Sequence, residues 1–193
     1  MEIKRIKKDK NDKYKLVLLG ALHGTATRTG LSFFVNRVCP FLEKVLEATC
    51  YEIHIIGSGK WPEEVPDISA KKNIKLRGYV DDLSQELLST DVFLAPTPMP
   101  LGIRVRVLTA LSYGCCIVSH RANSSGIPEL KDGINCLLAD SGEEFANKII
   151  IALKDRKLRD ELSSNARKTF EKFFTATVAA KEIVGDLEKL AAK

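Results

Sequence analysis

Residues 100–120 read PLGIRVRVLTALSYGCCIVSH and place a glycine and two arginines where a loop becomes a helix. Gly102 ends a proline-rich loop, and Arg104 and Arg106 open a stretch whose apolar spacing predicts a helix over residues 103–113. The first N–H groups of a helix have no intrahelical partner and lie at the positive end of the helix dipole. We therefore expect an anion such as a phosphate to bind at this helix start.

The two arginines cannot both face such an anion from the helix, because residues two apart lie about 200° around its axis. One guanidinium is expected to reach the phosphate and the other to lie along the surface, unless both are ordinary solvated charges. Gly102 would let a ligand approach the backbone closely, and the N–H groups of Ile103 to Val105 would point at it. Arg28 and Lys60 project from other loops on the same side, where each is either a surface charge or a ligand contact.

Short apolar strands alternate with helices along the rest of the chain. The predicted strands are residues 15–20, 51–57, 73–80, 91–96, 116–119 and 134–139. Six helices are predicted, at residues 30–47, from residue 81 or 82 to 89, at 103–113, at 142–153, from Asp155 onward and at 176–190. A kink or break is expected at Pro40 in the first of them. Gly114 is expected to end the third helix, and Ser141 with Glu144 to cap the start of the fourth.

Strands that are apolar along their whole length are typical of a parallel sheet covered on both faces. We predict an α/β fold: a single Rossmann-like, doubly wound parallel sheet of about six strands, helices on both faces and extra C-terminal helices. Residues 1–14 are predicted to be a basic linker or tail, residues 15–174 the domain, and residues 175–193 a C-terminal amphipathic helix. In this architecture a ligand binds beyond the carboxyl ends of the strands, where the strand order reverses.

Composition excludes several classes of function. The 193 residues suffice for one ordinary domain, and no run of about 18 apolar residues predicts a membrane span. Residues 1–15 carry +4 of the net charge of +5, and the rest of the chain holds 23 basic and 22 acidic residues. The basic excess is interpreted as a solvated linker, the alternative being a tail that touches nucleic acid or anionic lipid. Five cysteines without a CxxC pair indicate reduced thiols in a cytoplasmic protein.

Familiar catalytic and metal-binding signatures are missing from the sequence. It has no P-loop, no G-x-S-x-G turn and no G-x-G-x-x-G fingerprint after the first strand. The three histidines form no HxxxH or HxH pair, so neither a metal nor a cofactor is expected.

The ordered segments LVLLGAL, YEIHIIGSGK, NIKLRGYVDDL, DVFLAPT, GIRVRVLTALSYGCCIVSH and GIPELKDGINCLLAD resemble the C-terminal domain of the group-1 nucleotide-sugar glycosyltransferases with the two-domain GT-B fold. The resemblance covers residues 15–174. It implies that this domain binds a nucleotide-diphosphate sugar and that a missing N-terminal domain, in cis or in a partner subunit, binds the acceptor. It also implies that the sugar is transferred in the cleft between the two domains, and that the full-length enzyme associates peripherally with a membrane.

Matching positions imply roles for individual residues. The positions matched to the nucleobase contacts are Gly78, Tyr79 and Val80. Gly102 and Ile103 match the helix start that holds the diphosphate. Arg106 falls where GIRIK-type relatives have a lysine, which favours it over Arg104 for contact with the donor.

Two positions depart from the family pattern. Leu101 and Thr109 stand where the family typically has two glutamates, the second of which contacts the ribose hydroxyls. Thr109 could make one hydrogen bond but is no charged bidentate acceptor. Ala21 also replaces an arginine of the first loop, which leaves only Arg28 there.

Three interpretations follow. The chain is the donor-binding half of a glycosyltransferase, or it is a non-catalytic interaction module that has lost the donor chemistry. The third is an epimerase-like protein, which would need acidic or histidine bases in the cleft. Under all of them one domain of this size is expected to be inactive alone.

Overall fold

A single parallel sheet forms the centre of the fold in the computed structural model, which describes residues 12–181 and residue 184. Its six strands lie side by side in the order β3-β2-β1-β4-β5-β6. The strands are β1 Tyr14–Leu19, β2 Tyr51–Ile56, β3 Ile74–Gly78, β4 Val92–Ala95, β5 Ile117–His120 and β6 Leu137–Ala139. Every neighbouring pair is parallel, so the predicted doubly wound α/β sheet is confirmed.

The order of the strands reverses at β1. In the register of the sheet, Leu16 of β1 lies opposite Ile53 of β2 on one side and Val92 of β4 on the other. The chain first winds outward from β1 to β3 and then returns to β4 on the other side of β1. The connections that leave β1 and β4 therefore diverge, which makes this pair the topological switch point of the sheet.

Helices cover both faces of the sheet. They are α1 Thr25–Phe33, α2 Cys39–Val45, α3 Ser84–Leu88, α4 Val105–Ser112, α5 Gly142–Lys154 and α6 Arg156–Phe173. One apolar cluster joins Leu16 and Leu18 to α1, α2 and α5, and a second joins Val17 to α3 and α4. Helix α6 contributes to both clusters, because Leu162 packs in the first and Ala166 in the second. It lies along the amino edge of the sheet, where the Arg159 guanidinium is 5.8 Å from the ring centroid of Tyr14.

The helix predicted over residues 30–47 begins earlier, at Thr25. Its first turns could not be predicted, because residues 25–29 are mainly polar and show no apolar periodicity. Residues 34–38 form a π-helical turn in which the N–H of Cys39 donates to the carbonyl of Phe34. Pro40 follows directly. Proline has no N–H and crowds the carbonyl four residues back, and the wider π turn accommodates both effects. At the predicted kink or break near Pro40, the structure therefore has a π-helical turn over residues 34–38 between α1 and α2.

Helix α4 ends as its sequence predicts. Gly114 adopts the left-handed conformation at φ +59°, and its N–H donates to the carbonyl of Leu111 at 3.0 Å. The N–H of Cys115 reaches the carbonyl of Ala110 at 2.9 Å, which completes a Schellman motif. A side chain with a Cβ is strained at this φ, so glycine suits the turn.

Other local predictions are met with small shifts. Ser141 Oγ accepts from the N–H of Glu144 at 3.1 Å at the start of α5, and Asp155 caps α6. Strand β6 begins at Leu137, later than the predicted residue 134. Residues 176–181 and residue 184 are helical, while the other residues of the predicted C-terminal helix, and residues 1–11 of the predicted linker, lie outside the described residues.

No helix within residues 12–181 and 184 combines the length and the apolar character that crossing a membrane requires.

Candidate functional site

The loops after β1, β2 and β4 meet at the carboxyl edge of the sheet. The N–H of Leu22 donates to the carbonyl of Ser58 at 2.7 Å, and the hydroxyl of Thr97 donates to the carbonyl of Ala26 at 2.9 Å. The connections after β1 and β4 diverge, and in a doubly wound sheet the ligand crevice is expected above the ends of such a pair of strands. Residues 96–104 form the wall of the crevice on the β4 side.

Helix α4 begins at this wall, and its first helical residue is Val105, not Ile103 as predicted. Arg104 precedes the helix in an extended conformation, with φ −98° and ψ 99°. The N–H of Val107 donates to the carbonyl of Arg104 at 2.8 Å, so the N–H groups of Val105 and Arg106 come before the first intrahelical donor. The N–H groups at the helix start that could bind an anion are therefore those of these two residues, and not those of Ile103 to Val105 as predicted.

Arg106 points inward and binds protein groups on three segments. Its Nη1 donates to the carbonyl of Leu19 at 3.1 Å and to the hydroxyl of Thr27 at 3.0 Å, and its Nη2 lies 3.4 Å from the hydroxyl of Thr97. A Cβ added to Gly20 would come within 2.6 Å of this Nη1, so the guanidinium fits only because residue 20 is glycine. Arg106 thus ties α4 to the end of β1, to the first turn of α1 and to the end of β4.

Burial and the neighbouring charge of Arg104 lower the pKa of Arg106 to about 10. Arg106 remains a cation at neutral pH, since its pKa is still well above that value. Burial is the larger cause of the lowered pKa, and repulsion from Arg104 is the smaller one.

Arg104 differs from Arg106 in that its Nε and Nη2 atoms are buried without a hydrogen-bond partner among the described residues. Burial also lowers the pKa of this guanidinium. A buried cationic donor without a partner is unfavourable, and an anion at this position would supply the missing acceptor. Arg106, in contrast, is directed inward onto protein acceptors and does not lie along the surface as expected for the second arginine. That at most one of the two arginines reaches a phosphate stays a prediction.

A buried asparagine holds the β4 and β5 loops together beneath this site. Asn123 Nδ2 lies 3.1 Å from the carbonyl of Ala95, 3.1 Å from Ser119 Oγ and 3.3 Å from the carbonyl of Thr97. Asn123 and Thr97 were not predicted as site residues, because no local sequence pattern marks them.

The three residues predicted to meet a nucleobase lie farther out along the same edge. Gly78 ends β3 at φ +65°, and its carbonyl accepts from the N–H of Gly57 at 2.8 Å. Tyr79 is 74% exposed, and Val80 is half-buried against the cluster that contains Val17. Two strand spacings of about 4.8 Å separate β3 from β1, so this segment lies roughly 10 Å from the end of β1.

Arg28 and Lys60 are not equivalent. The guanidinium of Arg28 pairs with the carboxylate of Glu64 on the surface. Lys60 is exposed in the loop after β2. Of these two predicted contacts, Lys60 is the cation that remains directed to solvent near the crevice.

Thr109 and Gly102 border the start of α4. The hydroxyl of Thr109 donates to the carbonyl of Val105 at 2.9 Å, so the oxygen can still accept a hydrogen bond but the proton is engaged. A Cβ added to Gly102 would meet nothing within 4 Å, whereas one on Gly126 would lie 2.6 Å from Leu101 O and from Gly102 C. The close approach within the protein is therefore made by Gly126, and the Gly102 side of the loop is open to a ligand.

Metal binding and thiol chemistry find no support in the described part of the chain. It holds no group of three His, Cys, Asp or Glu side chains arranged to bind a metal ion. None of the five cysteines forms a disulfide bond, and all but Cys50 are buried. Burial raises the pKa of Cys39 and of Cys136 to about 12, which keeps both in the unreactive thiol form.

Several solved structures share this fold at low sequence identity, whereas no curated protein matches the chain. HepE of Anabaena, in a complex with UDP and glucose, is 16% identical with a TM-score of 0.73, over 91% of this chain and 48% of that one. TarM of S. aureus, in a complex that includes UDP, is 14% identical with a TM-score of 0.74, over 96% and 37%. The C-terminal domain of the group 1 glycosyl transferase LpcC from Francisella tularensis is 15% identical with a TM-score of 0.61, over 84% and 87%.

The chain thus spans about half or less of the two larger proteins and most of the isolated C-terminal domain. The sequence profile described as "Glycosyl transferases group 1" matches residues 13–155, which is well over half of the chain. The chain therefore belongs to the group 1 glycosyl transferase family, and its fold is that of the C-terminal domain.

Proposed function

We propose that the carboxyl edge of this sheet binds the diphosphate of a nucleotide sugar, and that the chain is the donor-binding half of a glycosyltransferase. The observation that carries the proposal is the buried, unpartnered Nε and Nη2 of Arg104 beside the open start of α4. A diphosphate would supply acceptors for these donors and for the first helix N–H groups at once. Family membership and the UDP complexes of HepE and TarM support the same assignment.

The proposed roles of the two arginines follow from their contacts. Arg104 contacts the diphosphate directly, because its donors are free. Arg106 braces the crevice through Leu19, Thr27 and Thr97 and contributes its charge at short range. This assignment reverses the preference for Arg106 that the family position suggests.

Such a site would act on the leaving group of the transfer. When the bond from the anomeric carbon to the diphosphate breaks, negative charge develops on the departing oxygen. Fixed N–H groups and a guanidinium already aimed at that position stabilise the charge without reorganisation. This role needs no metal ion, although it does not exclude one.

The remaining contacts extend outward from the diphosphate. We place the nucleobase near Gly78, Tyr79 and Val80 and the diphosphate at Gly102 and Ile103. Lys60 and Arg28 are placed at the rim of the site. The acceptor would be bound by a second domain or subunit, since the chain spans about half of HepE. A cytoplasmic location, no role in nucleic-acid binding and peripheral membrane association of the full-length enzyme stay predictions.

Isothermal titration calorimetry of the chain with UDP, GDP, ADP and inorganic pyrophosphate tests this function. We expect saturable binding of at least one nucleoside diphosphate, weakened about tenfold or more by Arg104→Gln, because a charged hydrogen bond is lost. Arg156→Gln removes the same charge from an exposed position on α6 at the amino edge and should leave the affinity unchanged. No binding of any nucleoside diphosphate at about 1 mM would contradict the proposal.

The second candidate is a non-catalytic interaction module, which Leu101 and Thr109 favour because neither can replace a glutamate. This candidate predicts no donor affinity in the wild-type chain and gain of affinity in Thr109→Glu. Wild-type binding that depends on Arg104 would exclude it.

A further inference from the structure

Acidic side chains are absent from the centre of the proposed site. Residues 20–24, 57–60, 96–104 and 120–127 are the segments that follow β1, β2, β4 and β5, and they contain no Asp or Glu. The first turns of α1 and α4 also lack acidic residues. The crevice above β1 and β4 is therefore lined by backbone groups, neutral side chains and cations.

Three carboxylates in neighbouring segments are engaged by other groups. Glu64 pairs with Arg28, and Asp140 pairs with Arg121 at 2.7 Å. Asp82 accepts from the N–H of Ser84 at 2.8 Å, in the turn that starts α3.

Two other acidic residues border the edge, and neither lies in the crevice. Asp81 follows β3, which is three strand positions from β4, or roughly 14 Å at the usual spacing. Glu63 lies beyond Lys60 in the long connection after β2 and is exposed.

This distribution of charge determines which part of a nucleotide the site can recognise. The neighbouring hydroxyls of a ribose are bound most strongly by a carboxylate, which accepts from both at once. Thr109, one turn along α4 from Val105, offers a single neutral oxygen whose proton is already donated to a carbonyl. The diphosphate, in contrast, meets the free donors of Arg104 and the first N–H groups of α4.

We propose that this donor site recognises the diphosphate of its ligand and not the ribose hydroxyls, so that it binds ribonucleoside and 2′-deoxyribonucleoside diphosphates with nearly equal affinity. The inference rests on the proposed function, because it takes the start of α4 as the diphosphate position. Thr109 is the position at which a carboxylate would introduce such a preference, since it stands where the family typically has the glutamate that contacts the ribose hydroxyls.

Calorimetry with UDP, 2′-deoxy-UDP and inorganic pyrophosphate tests the inference, with GDP and 2′-deoxy-GDP, and ADP and 2′-deoxy-ADP, as pairs with other bases. For the wild-type chain we expect the ribo and deoxy affinities to agree within about threefold. Thr109→Glu supplies the missing carboxylate and should raise the preference for the ribo ligand about tenfold or more, because two charge-assisted bonds become available. Thr109→Val removes the hydroxyl at similar volume and should leave the ratio unchanged. The melting temperature of each variant checks that it folds.

The outcomes separate the two proposals. A wild-type preference of tenfold or more for the ribo ligand would overturn the inference and leave the proposed function standing. Binding of pyrophosphate without binding of any nucleoside diphosphate would support recognition of the diphosphate but contradict the proposed function. No binding of any of these ligands would overturn both.

Discussion

Two arginines that are close in sequence have opposite surroundings in this fold. Arg106 has protein acceptors on three segments, whereas Arg104 has buried donors without partners among the described residues. The helical spacing does not explain this difference, because Arg104 precedes the helix in an extended conformation. The inward direction of Arg106 could not be seen in the sequence, because its partners Leu19, Thr27 and Thr97 come from distant parts of the chain. It depends on the missing Cβ of Gly20.

Gly20→Ala should therefore displace Arg106. The new Cβ would lie 2.6 Å from Arg106 Nη1 and 2.5 Å from the hydroxyl of Thr27, at a φ of +149° that disfavours a side chain. We expect a loss of about 2–4 kcal/mol in the free energy of unfolding, from backbone strain together with broken charged hydrogen bonds. Urea denaturation measures the loss.

Gly133→Ala is the matched control, because its φ is +71° but its added Cβ would meet nothing within 4 Å. It should cost only the backbone strain, about 1–2 kcal/mol. In an Arg106→Met background the cost of Gly20→Ala should fall toward that of the control. Equal costs of Gly20→Ala in both backgrounds would show that Arg106 and Gly20 are not coupled.

At the scale of elements, the short helix α3 is held by a carboxylate. Helix α3 has five residues, too few to be stable through its own hydrogen bonds. The Glu86 carboxylate lies 2.5 Å from Lys15 Nζ on β1, 3.0 Å from Arg77 Nη2 on β3 and 3.5 Å from His54 Nδ1 on β2. Glu86 is 8% exposed, so this carboxylate links α3 to three strands from a largely dry position.

Glu86→Gln should destabilise the fold in a pH-dependent way. Burial alone would raise the pKa of Glu86, but the hydrogen bond and charge of Lys15, with the charges of Arg77 and His54, hold it below the ordinary value of 4.5. The wild-type advantage is therefore complete above pH 4.5 and is lost as the pH falls through the lower folded-state pKa. We expect a cost of about 2–3 kcal/mol near neutral pH, shrinking in acid, in urea denaturation from about pH 7 to about pH 3.5.

Glu171→Gln provides the comparison, since the Glu171 carboxylate pairs with Arg167 at 2.7 Å but its side chain is 52% exposed. This change should cost no more than about 0.5 kcal/mol. A cost at Glu86 as small as that at Glu171, or one that does not change with pH, would contradict the assigned role.

Elements with a local signature were predictable, and those that depend on distant contacts were not. The strands could be placed because each is a short run rich in apolar residues, although β3 alternates them with Lys75 and Arg77 and is buried only at Ile74. Gly114 and Ser141 mark the ends of their helices with residue types that suit those caps. The start of α1 at Thr25 was missed, because its polar first turns are fixed by contacts with the β2 and β4 loops. The start of α4 was predicted too early, because Ile103 continues the apolar spacing of the helix. In the structure Ile103 lies before the helix and is 64% exposed.

At the scale of the whole molecule, the switch point brings the candidate ligand contacts to one edge of the sheet and leaves that edge open. Ile103 and Val105 flank Arg104 and are 64% and 75% exposed. Single exposed apolar side chains are ordinary, but these two lie next to the buried donors of Arg104 at the start of α4. The chain spans 48% of HepE, so about half of HepE has no counterpart in this comparison.

Binding and transfer should therefore separate in this chain. We expect the 193-residue chain to bind a nucleoside diphosphate but to release none from nucleotide sugars. The described residues of the site offer hydrogen-bond donors for the leaving group, but no carboxylate or second domain to position an acceptor. Chromatographic detection of UDP or GDP released from UDP- and GDP-sugars, with water or simple alcohols as acceptors, measures this. Arg104→Gln controls for release at the proposed site, since it should abolish any turnover that occurs there. Release above the buffer rate that Arg104→Gln removes would contradict the expected separation and would mean that this half of the fold carries the chemistry alone.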